Sequence, residues 1–277
     1  MRKPQLSLTV ITVTIVIAAL FSTASCHKKA ASEDTGYANE NATTEQTFND
    51  VQTISDQAAT MPSGATLAYK TSATTGSPCA TVTHSGNTIT IDFGASDCMC
   101  KDGRNRRGKI IVNYTGAYTD AGSVHTITFD NFYQNDNKVT GLKTVTNMGP
   151  NAHGQPYFNV HIDGSVTMNG GGTTSTKWDR VRTWAEGYST SDFADDVYEI
   201  TGSGTLTREN GQVISMTISN STPLVCALNC RWIEAGSVTF SVSTGQSRVL
   251  DYGDTPDCDD MATVTLGNGN VRNITLP

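Results

Sequence analysis

Three groups of residues in this chain have the types and spacing to do chemistry. The first is Cys26 alone. It stands behind a basic start, Arg2-Lys3, an apolar run from Leu6 to Phe21 and the small residues Ser22 to Ser25. That order of charge, grease and small side chains reads as a secretory signal over residues 1–25 ending in a lipobox, whose cysteine becomes a diacylated amino terminus. Thr23 occupies the position where a lipobox usually has leucine. That leaves a plain signal peptide or a retained helix as rivals, although the run is short for a membrane span. The second group is the remaining six cysteines: Cys79, Cys98, Cys100, Cys226, Cys230 and Cys258. An even number in an exported chain points to disulfides. The third is Trp178, Arg180, Arg182, Trp184, Glu186 and Tyr188, at every second position. On a strand they share one face, where aromatic planes and guanidinium groups either stack a sugar ring or anion, or form a self-contained cation–π ladder.

Six cysteines allow about 15 pairings, and a partial internal echo narrows them. Ile91-Asp92-Phe93-Gly94, running on through Asp97 to Cys98, resembles Leu250-Asp251-Tyr252-Gly253, running on through Asp257 to Cys258. Each closing cysteine has an upstream partner, which predicts Cys79–Cys98 and Cys230–Cys258 and leaves Cys100–Cys226 to join the two copies (79–116 and 230–266). The rival reading makes Cys98-Met99-Cys100 with Cys226 and Cys230 a soft-metal site. Export favours oxidation of the thiols instead, so neither metal nor cofactor is expected.

Other constellations have plainer readings. Lys101 to Lys109 is a basic patch that suits a phosphate, a sulfated glycan or a lipid head group, and otherwise a solvated hairpin turn. Asp251, Asp254, Asp257, Asp259 and Asp260 lack the regular EF-hand spacing for calcium; these opposite loops are expected to pair across the domain. His84, His125, His153 and His161 are scattered, and neither a nucleophile elbow nor His-Glu-x-x-His occurs. No catalytic residue is therefore assigned.

The elements that must position these groups are mostly strands. Residues 26–43 are small, polar and aperiodic, which predicts a flexible tether. Phe48, Val51, Ile54, Ala58 and Met61 form one apolar stripe, predicting a short helix over 44–62 capped by Thr43 or Thr44 and stopped by Pro62-Ser63-Gly64. From 63 to 277 the period is two, as in Ile89-Ile91-Phe93 and Ile110-Val112-Tyr114, with Gly, Asn and Asp between the runs. The expectation is an all-β antiparallel meander, as a sandwich or a half-barrel. Its second face is Thr, Asn, Asp and Lys, too polar for a membrane barrel.

Across the lipobox region, Gly103-Arg104-Asn105-Arg106-Arg107-Gly108-Lys109 through Gly116, Asn135 to Val139, and Ala227-Leu228-Asn229-Cys230-Arg231-Trp232, the chain resembles uncharacterised lipoproteins of Bacteroidota-type envelopes. The resemblance implies an all-β fold and an envelope location, and assigns no activity.

The 277 residues carry a net charge of −7, and losing the signal removes only cations. An acidic, exported chain lacks the charge that nucleic-acid binding requires. The expected function is non-enzymatic, structural or adhesive, on a protein held by acyl chains to a bacterial membrane, the outer membrane being favoured. The alternatives are a glycan- or lipid-binding module on the Trp178–Tyr188 face, and an envelope hydrolase. Expected partners are the membrane, and a glycan or another envelope protein.

Overall fold

The computed structural model describes residues 25–67, 79–242 and 247–277, with side chains from Thr35 onward except that of Val242. The expected signal lies outside the described residues except for Ser25, as does the side chain of Cys26. The chain divides into two compact units, Met1–Tyr37 and Ala38–Pro277. In the first, the described backbone is helical from Ser25. All the strands belong to the second.

Helix α1 spans Ser25–Thr60. It is followed by a near-continuous run of strands: β1 (Thr66–Leu67), β2 (Ala80–Ser85), β3 (Thr88–Asp92), β4 (Cys98–Met99), β5 (Asn105–Tyr114), β6 (Val124–Gln134), β7 (Asn137–Pro150) and β8 (Pro156–Thr167). The series continues with β9 (Thr173–Glu186), β10 (Val197–Thr207), β11 (Val213–Ile218), β12 (Leu224–Ala227), β13 (Ser237–Val242), β14 (Ser247–Asp251), β15 (Met261–Thr265) and β16 (Val271–Thr275). Among the described residues they form one 16-stranded sheet in nearly sequential order, with β4 a side partner of β5 and β12 of β10. Every pairing is antiparallel. The all-β meander is therefore a single open sheet, neither closed into a barrel nor split into a sandwich.

Strict alternation tells the strands which side is inside. In β9, Thr174, Thr176, Trp178, Arg180 and Arg182 are buried, while Ser175, Lys177, Asp179 and Val181 face solvent. The buried face carries the helix. Asn49 reaches Cys226 on β12, whereas its neighbour Asp50 pairs with Arg104 at the entrance to β5. Successive helical residues point about 100° apart, so contacts to such distant strands require the sheet to curl around α1. Among residues 39–60 the helix is less than fully covered mainly along Asn39, Thr43, Asn49, Thr53, Gln57 and Thr60.

Two glycines make close approach possible. A Cβ on Gly164 would sit 2.7 Å from the Phe48 ring, and one on Gly204 would sit 2.6 Å from the Trp178 ring. With both positions bare, Phe48 of the helix and Trp178 of β9 meet edge to face at 6.0 Å, a favoured aromatic geometry.

The start of the helix and the cap are corrected. The helix already runs through residues 26–43, expected as a tether, and Ala38, Asn41 and Ala42 are buried. Glu40 makes this possible by accepting from Nε and Nη2 of Arg208, the closest contact being 2.6 Å. Thr43 and Thr44 are mid-helix; their hydroxyls donate to the carbonyls of Asn39 and Glu40 four residues back. The stop at Pro62-Ser63-Gly64 is as expected, since the helix ends at Thr60 and Gly64 has φ +85°.

Candidate functional site

The third chemical group of the sequence lies along the inner wall of β9 rather than on an open surface. Trp178 is fully buried, and Arg180 and Arg182 are nearly so. A sugar cannot reach them. Each guanidinium is committed to the helix: Arg180 Nη2 donates to Glu45 at 3.2 Å and Arg182 Nη1 to Asp56 at 2.8 Å. The expected exposed ligand face at Trp178, Arg180 and Arg182 is thus corrected to a buried one, because the inward phase of β9 meets a polar helix and not solvent. Tyr188 lies beyond the end of β9 and is exposed. Trp184 alone of the row reaches an open cavity.

That cavity, of about 380 Å³, sits at the C-terminal end of α1. Its walls are Trp184 of β9, Tyr198 of β10, Tyr114 of β5, His125 of β6, His84 of β2, Tyr118 in the β5–β6 turn and Phe193 in the short 3₁₀ turn before β10. Register explains the gathering: Tyr198 lies opposite Trp184, and Tyr114 opposite His125. The rings are ordered against one another. Trp184 stacks on Tyr198 with centroids 5.5 Å apart, and Tyr118 stacks on Phe158 at 4.8 Å while meeting His125 edge-on at 5.4 Å.

One ion pair fixes this aromatic wall. Arg182 Nη1 donates to Asp56 and to the Tyr118 hydroxyl, each at 2.8 Å, and its guanidinium lies 3.3 Å over the Tyr198 ring. Trp184 Nε1 donates to Asp196 at 3.0 Å. Burial pushes the Tyr118 hydroxyl well above its ordinary pKa, reinforced by the Asp56 charge, and burial raises Tyr198 too. Burial lowers His125, whose Nε2 lies 3.3 Å from the Gly116 carbonyl. Burial also raises Asp196 to about 6, with the Trp184 hydrogen bond pulling the other way. The arrangement can stack and enclose a flat ring. Among its walls, His84 Nε2 is a buried nitrogen without a hydrogen-bond partner among the described residues.

Cys79–Cys98 and Cys230–Cys258 are disulfides. Cys100 and Cys226 are not joined in a disulfide, so the expected Cys100–Cys226 bridge is corrected. Cys100 is buried in the turn before β5 and points at the Cys98 carbonyl, at 3.7 Å, while Cys226 meets Asn49 of the helix at 3.8 Å. Glu234 lies beside Cys230 and Cys258, but their sulfurs are bonded to each other and cannot act as thiolate ligands.

The basic patch is not a solvated turn. Arg104 and Arg106 are almost wholly buried. Arg106 grips Asp102 through both terminal nitrogens, at 2.9 and 2.6 Å, and gives Nε to Gln134 at 2.8 Å. Asp50 accepts from Gln134 and pairs with Arg104. These two close carboxylates are saturated by cations, so they are structural. Nor do the opposite loops pair: Arg107 bonds Asp97 and Asp136, both at 2.6 Å. In the acidic loop Asp251 and Asp259 accept from the amides of Gly253 and Met261 and shape turns. His161 pairs with Asp179 on the exposed face, far in register from the cavity end of β8 and β9.

No protein-family model, curated protein or solved structure matches the chain.

Proposed function

We propose that this chain is an exported, lipid-anchored protein of a bacterial envelope that acts without catalysis, by holding a small ring-bearing molecule in the aromatic cavity. One observation carries the binding reading. Seven aromatic or imidazole rings from β2, β5, β6, β9, β10 and two turns converge on a single space of about 380 Å³, which is within the size range of small-molecule sites. Support for the anchor is in the sequence, where the signal-like segment ends at Cys26. Two disulfides in the domain suit an oxidising compartment.

Both halves are testable. Expressed in a bacterium with an outer membrane, the full chain should fractionate with membranes and yield an N-terminal Cys26 peptide with acyl mass; Cys26→Ser should release it. A chain that stays soluble with an unmodified Cys26 refutes the anchor. For the cavity, quenching of tryptophan fluorescence by small cyclic compounds should saturate in the parent and disappear in Ala117→Trp, which fills the space from the rim. Quenching unaffected by that substitution refutes the binding reading.

A structural or adhesive role is the second reading, favoured by the outer face of β8 and β9. There Lys177–Asp163 and His161–Asp179 form a polar, exposed surface open to a glycan or another envelope protein. Loss of cell adhesion on deleting the gene, with adhesion unchanged by Ala117→Trp, would favour it.

A further inference from the structure

We infer that the cavity accepts uncharged molecules bearing a flat, largely apolar ring and discriminates against their carboxylate and ammonium counterparts. This rests on the cavity being the ligand site, and adds the chemical class of the ligand.

The walls have little to offer a charge. Flat faces dominate, and their spacing is set by packing inside the protein: Trp184 on Tyr198, and Tyr118 on Phe158. A ring entering between them gains stacking and apolar contact. A charged group entering with it loses its water and must find a partner. The anionic group at the cavity edge, Asp56, is already neutralised by Arg182 at 2.8 Å. Arg182 in turn is divided among Asp56, the Tyr118 hydroxyl and the Tyr198 face. Neither member of the pair can turn to a ligand without leaving the other uncompensated in a buried place, which is strongly unfavourable.

Most of the remaining polar groups are spoken for. Tyr118 and Tyr198 hold their phenol protons, because burial raises both. Burial keeps His125 toward its neutral form, and its Nε2 faces the Gly116 carbonyl. Trp184 Nε1 is engaged by Asp196, so it is not a free donor for an anion. Tyr114 donates its hydroxyl to the Gly86 carbonyl at 3.0 Å. His84 Nε2 has no hydrogen-bond partner among the described residues and gives a ring hydroxyl a place to bond.

The test uses three probes of one shape: 2-naphthol, 2-naphthoate and 2-naphthylmethylammonium. Binding is measured at pH 8 by isothermal calorimetry and by tryptophan quenching. The protein is the full chain with Cys26→Ser, so that no acyl chain absorbs the probes. Naphthol should bind at least tenfold more tightly than either ion, and Ala117→Trp and Trp184→Ala should each weaken it at least tenfold. Ala117→Trp sits at the exposed rim and reports even if Trp184→Ala is poorly folded. A preference of less than tenfold over either ion, with Ala117→Trp still blocking binding, overturns the inference and leaves the cavity reading standing. Naphthol binding untouched by Ala117→Trp, or no binding of any probe, overturns both.

Discussion

Three buried residues show how this core manages charge. Lys143 of β7 is nearly inaccessible, and its Nζ donates to the Phe48 carbonyl at 2.8 Å. Burial lowers its pKa from 10.5 to about 7, helped by the nearby Arg182 charge. The unfolded chain therefore binds the proton more readily than the folded one, so stability rises with pH between about 7 and 10.5. Lys143→Met should remove that slope. It should raise unfolding free energy by on the order of 2 kcal/mol at pH 6 and by much less at pH 10, as read from urea curves. Asp102 runs the other way. Burial disfavours its charge, but Arg106 outweighs burial through charge and hydrogen bonds, and its pKa is lowered. Its contribution is present above the ordinary carboxyl value of 3.8 and is lost as pH falls through the lower folded value. Arg106→Ala leaves that carboxylate buried and should cost about 3–5 kcal/mol near neutral pH. The thiols give a sharper check. With Cys26 blocked by acylation or Cys26→Ser, a thiol reagent in non-reducing denaturant should modify Cys100 and Cys226 and no other cysteine. Modification of neither would restore the Cys100–Cys226 bridge.

At the scale of elements, the helix and its glycine seat are the decisive pair. Gly164→Ala puts a methyl 2.7 Å from the Phe48 ring and 2.9 Å from the Thr140 carbonyl. Overpacking of this kind should cost about 1–3 kcal/mol, and Phe48→Leu in the same molecule should recover part of it, the non-additivity expected of residues in contact. The sequence discloses half of this helix. Phe48, Val51, Ile54 and Ala58 are fully buried, as their three- and four-residue spacing requires. Glu45, Asp50 and Asp56 are just as buried, yet on paper they belong to the wet face. Their partners, Arg180, Arg104 and Arg182, lie 54 to 135 residues away in sequence or across the sheet, so local periodicity carries no sign of them. Burial of β9 is misread for the same reason: alternation fixes which residues share a face, not what the face meets. The echo works better because its signal is local. Asp92 and Asp251 each accept from the amide of the glycine two residues on, at 2.8 Å in both copies. Phe93 and Tyr252 are buried behind them, and each copy closes at a disulfide cysteine. The cavity had a fainter trace in the aromatic residues ending β5 and β9 and opening β10, which only strand register brings together.

For the molecule as a whole, the open sheet raises the question of what holds it in a curl without closure. Hydrogen bonding along β1 to β16 does not, because the order has two ends. One edge is short: β1 has only two residues, and the chain just before it extends the pairing with β2, Gly64 donating to Val82, Val82 to Ala65, and the His84 amide to the Ser63 hydroxyl. The other, β16, carries Arg272 and Asn273 on exposed positions, polar features that discourage further strand pairing. The curl itself is fastened from inside. Helix α1 ties β5 through Asp50, β7 through the Phe48 carbonyl, β9 through Glu45 and Asp56, and Arg208 after β10 through Glu40. Arg104 then bonds the Arg231 carbonyl at 3.1 Å and links the start of β5 to the loop after β12. A helix with this many buried charges is untenable without its sheet, since each charge loses its partner together with its shelter. A sheet curled around such a helix is equally untenable without it. From Ala38 to Pro277 the protein should therefore unfold in one step. Far-UV circular dichroism, which reads backbone structure, and tryptophan fluorescence, to which Trp178 contributes from full burial against Phe48, should give superimposable urea transitions. Arg180→Ala should shift both curves together to lower urea. A helical signal that melts before Trp178 is exposed would mean that the sheet holds its curl unaided, and that the buried ion pairs decorate the core without fastening it.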